Sequence, residues 1–178
     1  MQTTNELANV PDVEISSLKD GKLGMKFAGV LINGERPSFK LDVLKIPFEP
    51  SVYNGTGLEI RKGLVMEISP HDASCIQAFE EKIKQKLNIP TDKWNSCVKP
   101  DHRLKAKINM GGEDPCAFAG KAPEDGFRGR SAVAALVVKG IYVQRQATGL
   151  ILDVQAMKVG DLVKTDQTDY VAMLGSPA

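Results

Sequence analysis

The spacing of apolar and polar residues predicts three strands in the first part of the chain. β-Branched and aromatic residues over 24–32 are followed by Asn33-Gly34, and alternation resumes over 38–48. An Asn-Gly pair favours the positive backbone dihedrals of a tight turn, so these two segments predict a β-hairpin. A third strand is predicted over 60–68, after a glycine-rich loop at 53–57.

One amphipathic helix is predicted over 70–88. Ser69 is a good N-cap residue, and Pro70 suits the first turn, where no amide hydrogen is needed. Pro90 marks the end of the helix. Polar residues, Glu80 among them, fill most positions outside one apolar stripe that is suited to pack on a sheet. The stripe consists of Ile76, Phe79, Ile83 and Leu87.

The second half of the chain predicts one basic strand and a terminal hairpin. Residues 103–110 alternate strictly, with Arg103, Lys105 and Lys107 on the polar side, which predicts a half-buried strand with a cationic outer face. A long loop is predicted over 111–129. The strands 131–146 and 150–159 are then joined by a turn at 147–149.

The order of these elements predicts a mainly β protein. Helices do not alternate with strands, which argues against a doubly wound parallel sheet. A single helix between strands 3 and 4 is the order of a five-stranded OB-fold Greek-key barrel, and a small β-sandwich or jelly roll is the alternative. A length of 178 residues fits one domain. We expect it over 21–160, with a flexible N-terminal segment at 1–20 and a C-terminal tail or edge strand at 161–178.

Charge is balanced overall but unevenly distributed. The chain has 23 Lys and Arg against 22 Asp and Glu, yet residues 82–107 contain eight basic and two acidic residues. Residues 126–152 contain four basic residues and no acidic one. One such stretch is usually a solvated face. Two of them on candidate strands of one domain favour a site for a polyanion.

The sequence predicts neither an enzyme nor a metal or cofactor site. His71 and His102 are the only histidines, and neither lies in a pattern that pairs a nucleophile with a base. The three cysteines form no Cys-x-x-Cys pair. There is no run of eighteen apolar residues and no export signal, so we expect a soluble intracellular protein, in the cytoplasm or nucleoid of a host cell, without a membrane partner.

Candidate contacts for a polyanion follow from the basic strands and the aromatic residues. Trp94 lies in a loop of the basic stretch and predicts a base-stacking role, with local packing as the alternative. Tyr142 is either a stacking platform or a core residue. The candidate cations for phosphate contacts are Arg61, Lys62, Arg103, Lys105, Lys107, Lys139 and Arg145.

In layout the chain resembles the OB-fold single-stranded DNA-binding proteins of bacteriophages and other double-stranded DNA viruses. The resemblance covers residues 24–159 and includes the basic strand RLKAKIN and the hairpin VVKGIYVQRQATGLILDVQAMKV. It implies that aromatic and basic residues of a barrel face hold the strand. By position, these are Trp94, Lys105, Lys107, Tyr142 and Arg145. Many family members end in a strongly acidic tail, whereas this chain ends VAMLGSPA, so recruitment of replication proteins by a tail stays open.

These observations predict a non-enzymatic, sequence-independent single-stranded DNA-binding protein. It would coat and protect exposed strands during replication and recombination, because backbone charge and stacking do not read base edges. RNA as a second ligand and self-association are left open. The alternative function is a structural or adaptor protein of a virus or mobile element, whose β-barrel binds a protein partner.

Overall fold

A computed structural model describes residues 1–21, 24–52, 60–120, 122–163 and 174–175. The glycine-rich loop at 53–57 and most of the expected C-terminal tail or edge strand at 161–178 lie outside these ranges. The described elements run in the order α1 (Thr4–Ala8), β1 (Glu14–Ile15), β2 (Lys19–Asp20), β3 (Lys26–Ala28), β4 (Val30–Leu31), β5 (Ser38–Val43), β6 (Arg61–Glu67), α2 (Pro70–Leu87), β7 (Val98–Lys99), β8 (Arg103–Asn109), β9 (Ala117–Phe118), β10 (Arg130–Val143) and β11 (Thr148–Leu162).

The fold is built around the long antiparallel hairpin of β10 and β11, as the sequence predicts. The main sheet has the order β2-β3-β10-β11-β8-β6, with β5 paired to β10, β7 to β8 and β9 to β11. Strands β8 and β9 run parallel to β11. A separate pair, β1 and β4, forms a small second sheet. The protein is therefore mainly β with one main helix between strands.

The described strands do not close into the predicted five-stranded barrel. Within the described part of the chain, β2 and β6 end the strand order and do not pair with each other. Strand β10 divides its outer edge between two partners, β5 along one half and β3 near the other end. Short strands of two or three residues, which periodicity cannot detect, complete the sheet.

Helix α2 confirms the predicted amphipathic helix. The Ser69 hydroxyl accepts a hydrogen bond from the Asp72 amide at 3.0 Å, and Asn88 ends the helix in the left-handed conformation. Phe79 and Ile83 are fully buried against the sheet. Glu80 is buried too, although its polarity predicts a solvent-facing position. No helix among the described residues is long and apolar enough to cross a membrane.

The N-terminal segment, expected to be flexible over 1–20, contributes to the core instead. Leu7 and Val13 are each 1% exposed. Helix α1 packs on α2, where the Thr4 hydroxyl donates to the Asp72 carboxylate at 2.6 Å. After α1, Asp12 forms an ion pair with Lys86 of α2 at 2.9 Å. Periodicity does not reveal this packing, because the apolar residues of the segment are dispersed among polar ones.

The predicted turn at Asn33-Gly34 is present, but the strands on either side of it separate. Asn33 and Gly34 both have positive φ, and Ile32 pairs with Glu35 across the turn. Beyond this pair, β3 and β5 move to different parts of β10. The change of partner coincides with a register shift in β10 between Val138 and Gly140. The expected hairpin between 24–32 and 38–48 is therefore limited to its turn.

Gly140 permits this change of partner, because a Cβ there would lie 2.1 Å from the Ala28 carbonyl oxygen. We expect Gly140→Ala to lower the free energy of unfolding by about 2 to 3 kcal/mol, since neither backbone can yield cheaply. Urea denaturation measures this change. Gly29→Ala is the control, because its Cβ would meet only ordinary contacts with Ser16. Equal stability of the two variants would contradict the proposed constraint.

Candidate nucleic-acid interface

A cavity of about 1130 Å³ lies on the outer face of the sheet, between β6 and β8 on one side and β3 and β10 on the other. We call it the groove. Its described lining contains four cations and two aromatic rings, and no Asp or Glu. The groove is therefore positively charged in the part that the structure describes. These six side chains are Phe27, Arg61, Lys99, Lys105, Lys107 and Tyr142.

The basic strand β8 supplies two of the groove cations. Lys105 and Lys107 are exposed, whereas the alternating residues Leu104, Ala106 and Ile108 are buried, as the alternation predicts. Neither lysine forms an ion pair with a described residue. The carboxylate beside Lys107, that of Asp153 on β11, bonds to Arg61, so the two lysines still provide an attractive surface for an anion.

Two aromatic residues lie side by side at the opposite wall. Tyr142 on β10 is the register partner of Phe27 on β3, and on its other side it faces Gly149 on β11. A Cβ at Gly149 would lie 2.7 Å from the Tyr142 hydroxyl oxygen, so the glycine leaves the space that the ring occupies. Both aromatic residues are half-buried, which leaves part of each ring accessible from the groove.

Hydrogen bonds connect the Tyr142 ring to the loop that follows α2. The Asn95 side-chain amide donates to the Tyr142 hydroxyl at 2.7 Å, and its carbonyl oxygen accepts from the Lys99 ammonium at 2.6 Å. The backbone amide of Asn95 also donates to the Thr148 carbonyl oxygen at 2.8 Å. This network places Lys99 and Tyr142 in a fixed relation to each other at one end of the groove.

Trp94 lies next to this network but does not line the groove. Its ring is half-buried and packs against the core, and its indole N–H donates to the Glu80 carboxylate at 3.0 Å. The same carboxylate accepts from the Ser96 hydroxyl at 2.5 Å and from the Cys97 amide at 3.1 Å. Glu80 therefore fixes residues 94–97, the segment that carries Asn95 to the groove.

Burial has the largest effect on the ionisation of Glu80. Loss of solvent raises the pKa of its carboxyl group, while the hydrogen bonds from Ser96, Cys97 and Trp94 lower it. Burial, together with the adjacent Glu80 charge, also holds the pKa of the Cys97 thiol well above its usual range. Cys97 is therefore a protonated core residue and is not suited to be a nucleophile.

Arg61 is the remaining predicted cation that lines the groove. Its guanidinium makes two hydrogen bonds to the buried Asp153 carboxylate, at 2.8 and 3.0 Å. A third bond, from Nη1 to the Asn109 side-chain oxygen, measures 3.1 Å. Arg61 thus differs from Lys105 and Lys107, because its charge is already balanced by a carboxylate.

The other four predicted cations lie outside the described lining of the groove. Arg103 pairs with Glu67 at 3.4 Å and its guanidinium lies 5.3 Å from the centre of the Phe48 ring. Lys62 lies opposite the buried Ile108, and so on the core side of β6. Lys139 lies at the register shift of β10, and Arg145 is exposed at the tip of the β10–β11 hairpin, next to the groove residue Gln144.

Lys99, Phe27 and Asn95 line the groove, although the sequence analysis does not name them as candidates. Lys99 belongs to the basic stretch at 82–107, which is a signal of composition only. Phe27 lies on a strand where an aromatic residue predicts core packing. Asn95 is one polar residue in a loop and carries no signal by itself. Their common position depends on pairing between distant strands, which local periodicity does not report.

The raised pKa of Glu80 makes its contribution to the free energy of unfolding depend on pH. Because the pKa is higher in the folded state than in the unfolded state, Glu80 contributes fully below its unfolded pKa, and this contribution is lost as the pH rises through its folded pKa. We therefore expect wild type to lose stability relative to Glu80→Gln as the pH rises from about 4 to 7. Urea denaturation at both pH values measures it. A difference that stays constant would contradict the assignment, and Glu81→Gln controls for loss of one carboxylate from the same helix.

Comparisons with known proteins find a similarity in structure. No family model matches the chain, and no curated protein sequence matches it significantly. Among solved structures, the chain is similar to the single-stranded DNA-binding protein from bacteriophage Enc34 in complex with ssDNA. The TM-score is 0.47 and the sequence identity 9%, and the match covers 85% of this chain and 97% of that chain.

Proposed function

We propose that this protein binds single-stranded DNA in the groove, without enzymatic activity, and coats exposed strands during replication and recombination. The observation that carries the proposal is the composition of the groove. Four cations and two neighbouring aromatic rings face one cavity, whose described lining contains no carboxylate. Single-stranded nucleic acid is held by these two kinds of group, cations along its backbone and flat rings under its bases.

The two kinds of group occupy opposite walls, which suits the two sides of a single strand. Lys105 and Lys107 lie on β8, and Tyr142 lies on β10, two strands away across β11. Two strand spacings correspond to about 10 Å. In this arrangement the sugar-phosphate backbone follows β8 while the bases turn toward Tyr142 and Phe27. A duplex keeps its bases stacked inside, so only an unpaired strand reaches the rings.

The remaining candidate residues lie outside the described lining of the groove and have smaller roles in binding. Arg145, at the hairpin tip beside the groove, extends the cationic surface beyond Tyr142. Trp94 acts as an anchor for the loop, since its indole N–H and one side of its ring are used by Glu80 and the core. Arg103, Lys62 and Lys139 contribute, at most, weak contacts outside the groove. The host-cell replication site is the proposed location of the protein.

Removing the groove lysines tests the electrostatic part of the proposal. We expect Lys105→Ala combined with Lys107→Ala to weaken binding of a thymine oligonucleotide about tenfold or more at low salt. The slope of log affinity against log salt should fall by about 1.4, because two phosphate contacts are lost. Fluorescence anisotropy measures both quantities.

The matched control removes two exposed lysines outside the groove lining, Lys40 and Lys158. An equal loss in both double variants would show that net charge, rather than the groove, attracts the strand. If the wild-type protein binds no oligonucleotide at low salt, the proposed function is wrong and the adaptor alternative is favoured.

Variants of Tyr142 test the stacking part. Tyr142→Leu should weaken binding by about 1 to 3 kcal/mol, because one base loses the aromatic side chain on which it stacks. Tyr142→Phe keeps the ring and loses only the bond from Asn95, so its affinity should stay close to that of wild type. Anisotropy titrations with the same oligonucleotide compare the two. Equal losses in both variants would show that the hydroxyl, not the ring, contributes the contact.

A further inference from the structure

We propose that Arg61 gives the groove a preference for bases that carry two adjacent hydrogen-bond acceptors, which are guanine (O6 and N7) and cytosine (N3 and O2). This inference rests on the proposed function and refines it, because it adds a modest base preference to a binding mode governed by charge and stacking.

The Arg61 guanidinium is held in a defined orientation. Nη1 and Nη2 each donate to one oxygen of Asp153, at 3.0 and 2.8 Å, and Nη1 also donates to Asn109 at 3.1 Å. Two parallel bonds between a planar fork and a carboxylate restrict rotation more strongly than a single bond would. The Asp153 side chain is only 6% exposed, so this support lies beneath the surface of the groove.

One edge of the guanidinium remains available. Both hydrogens of Nη1 are used by Asp153 and Asn109, and one hydrogen of Nη2 is used by Asp153. The second Nη2 hydrogen and the Nε hydrogen point along one edge, and no acceptor among the described residues binds them. The Arg61 side chain is 44% exposed and lines the groove, so a ligand can reach this edge. Such a pair of parallel donors matches two adjacent acceptors.

The charge of the Arg61–Asp153 pair favours a neutral base over a phosphate. The carboxylate balances the guanidinium, and a phosphate on the open edge would lie close to Asp153, whose side chain is only 6% exposed. A buried carboxylate cannot give up its partner without a large cost, so a phosphate does not simply displace it. A base edge carries no net charge and meets no such repulsion. Lys107, the register partner of Asp153, has no described counter-ion and is the better phosphate contact beside it.

Base chemistry then predicts the direction of the preference. Arginine bonded to O6 and N7 is the commonest specific contact to guanine. Cytosine presents N3 and O2 side by side when it is unpaired. In thymine an N–H group separates the two carbonyl oxygens, and in adenine each accessible ring nitrogen stands next to an amino group or alone. Guanine and cytosine should therefore bind Arg61 through two bonds, and thymine and adenine through one.

The test compares thymine oligonucleotides in which every third base is replaced by guanine, cytosine or adenine. By fluorescence anisotropy, we expect the guanine strand to bind wild type about five- to tenfold more tightly than the thymine strand. The cytosine strand should also exceed the thymine strand, and the adenine strand should equal it. Cytosine preference without guanine preference would identify cytosine as the base that is read. In Arg61→Lys, which keeps the charge but lacks the fork, affinity for thymine should be retained and the preference lost.

Asp153→Asn tests the positioning role of Asp153 by a readout that loss of structure would not produce. Without the carboxylate, Arg61 becomes a phosphate contact, so affinity for thymine should rise and the salt slope should steepen by about 0.7, while the preference falls. Lys107→Ala is the control, because it should weaken all four strands alike and leave their ratio unchanged. Circular dichroism verifies the fold of each variant.

The outcomes separate this inference from the proposed function. Equal binding of all four strands by wild type would overturn the base preference and leave single-stranded DNA binding in place. A preference that persists in Arg61→Lys would also overturn it. Failure of every strand to bind at low salt would overturn both.

Discussion

The pairing of β10 with two different partners is the constraint on which the rest of the structure depends. β10 pairs with β5 over one half and with β3 near its end, and the shift of register between Val138 and Gly140 separates the two regions. A one-residue shift moves all following side chains to the opposite face of a strand. Val138 and Ile141 can both be fully buried for this reason, and Tyr142 then points to the outer face beside Phe27.

The groove contains cations and aromatic rings, and neighbouring residues hold these side chains in position. Lys105 and Lys107 are spaced by the pleat of β8, Tyr142 is held by Asn95 above Gly149, and Arg61 is held by Asp153. Clustered cations repel one another, so the free protein loses some stability that a bound polyanion would restore. Glu80 on α2 is a buried carboxylate as well, and it accepts hydrogen bonds from neutral donors of residues 94–97.

Local patterns predicted the elements better than they predicted their assembly. The helix α2, the alternation of β8 and the β10–β11 hairpin all follow from spacing within a single segment, and each is confirmed. The closed barrel, the hairpin on both sides of Asn33-Gly34 and the flexible N-terminal segment depended on which segments meet, and the described structure differs in each case. Strand pairing is decided by contacts between residues distant in sequence, of which one sequence carries little trace.

The candidate site shows the same division. The outward position of Lys105 and Lys107 follows from the alternation of β8, whereas for Tyr142 periodicity leaves a stacking platform and a core residue as alternatives. For Trp94 the sequence favours base stacking over local packing, because nothing in it shows that Glu80, on the polar side of its helix, is buried and accepts the indole N–H. Phe27 and Asn95 reach the groove only through the pairing of β3 with β10 and the bond to Tyr142.

Photochemical cross-linking of a thymine oligonucleotide, followed by mass spectrometry of the linked peptides, tests the central claim most directly. If the groove holds the strand, the cross-links will fall on the segments that carry Tyr142 and Phe27. Cross-links confined to the surface around Lys40 and Lys158, or to Trp94 alone, would contradict the account.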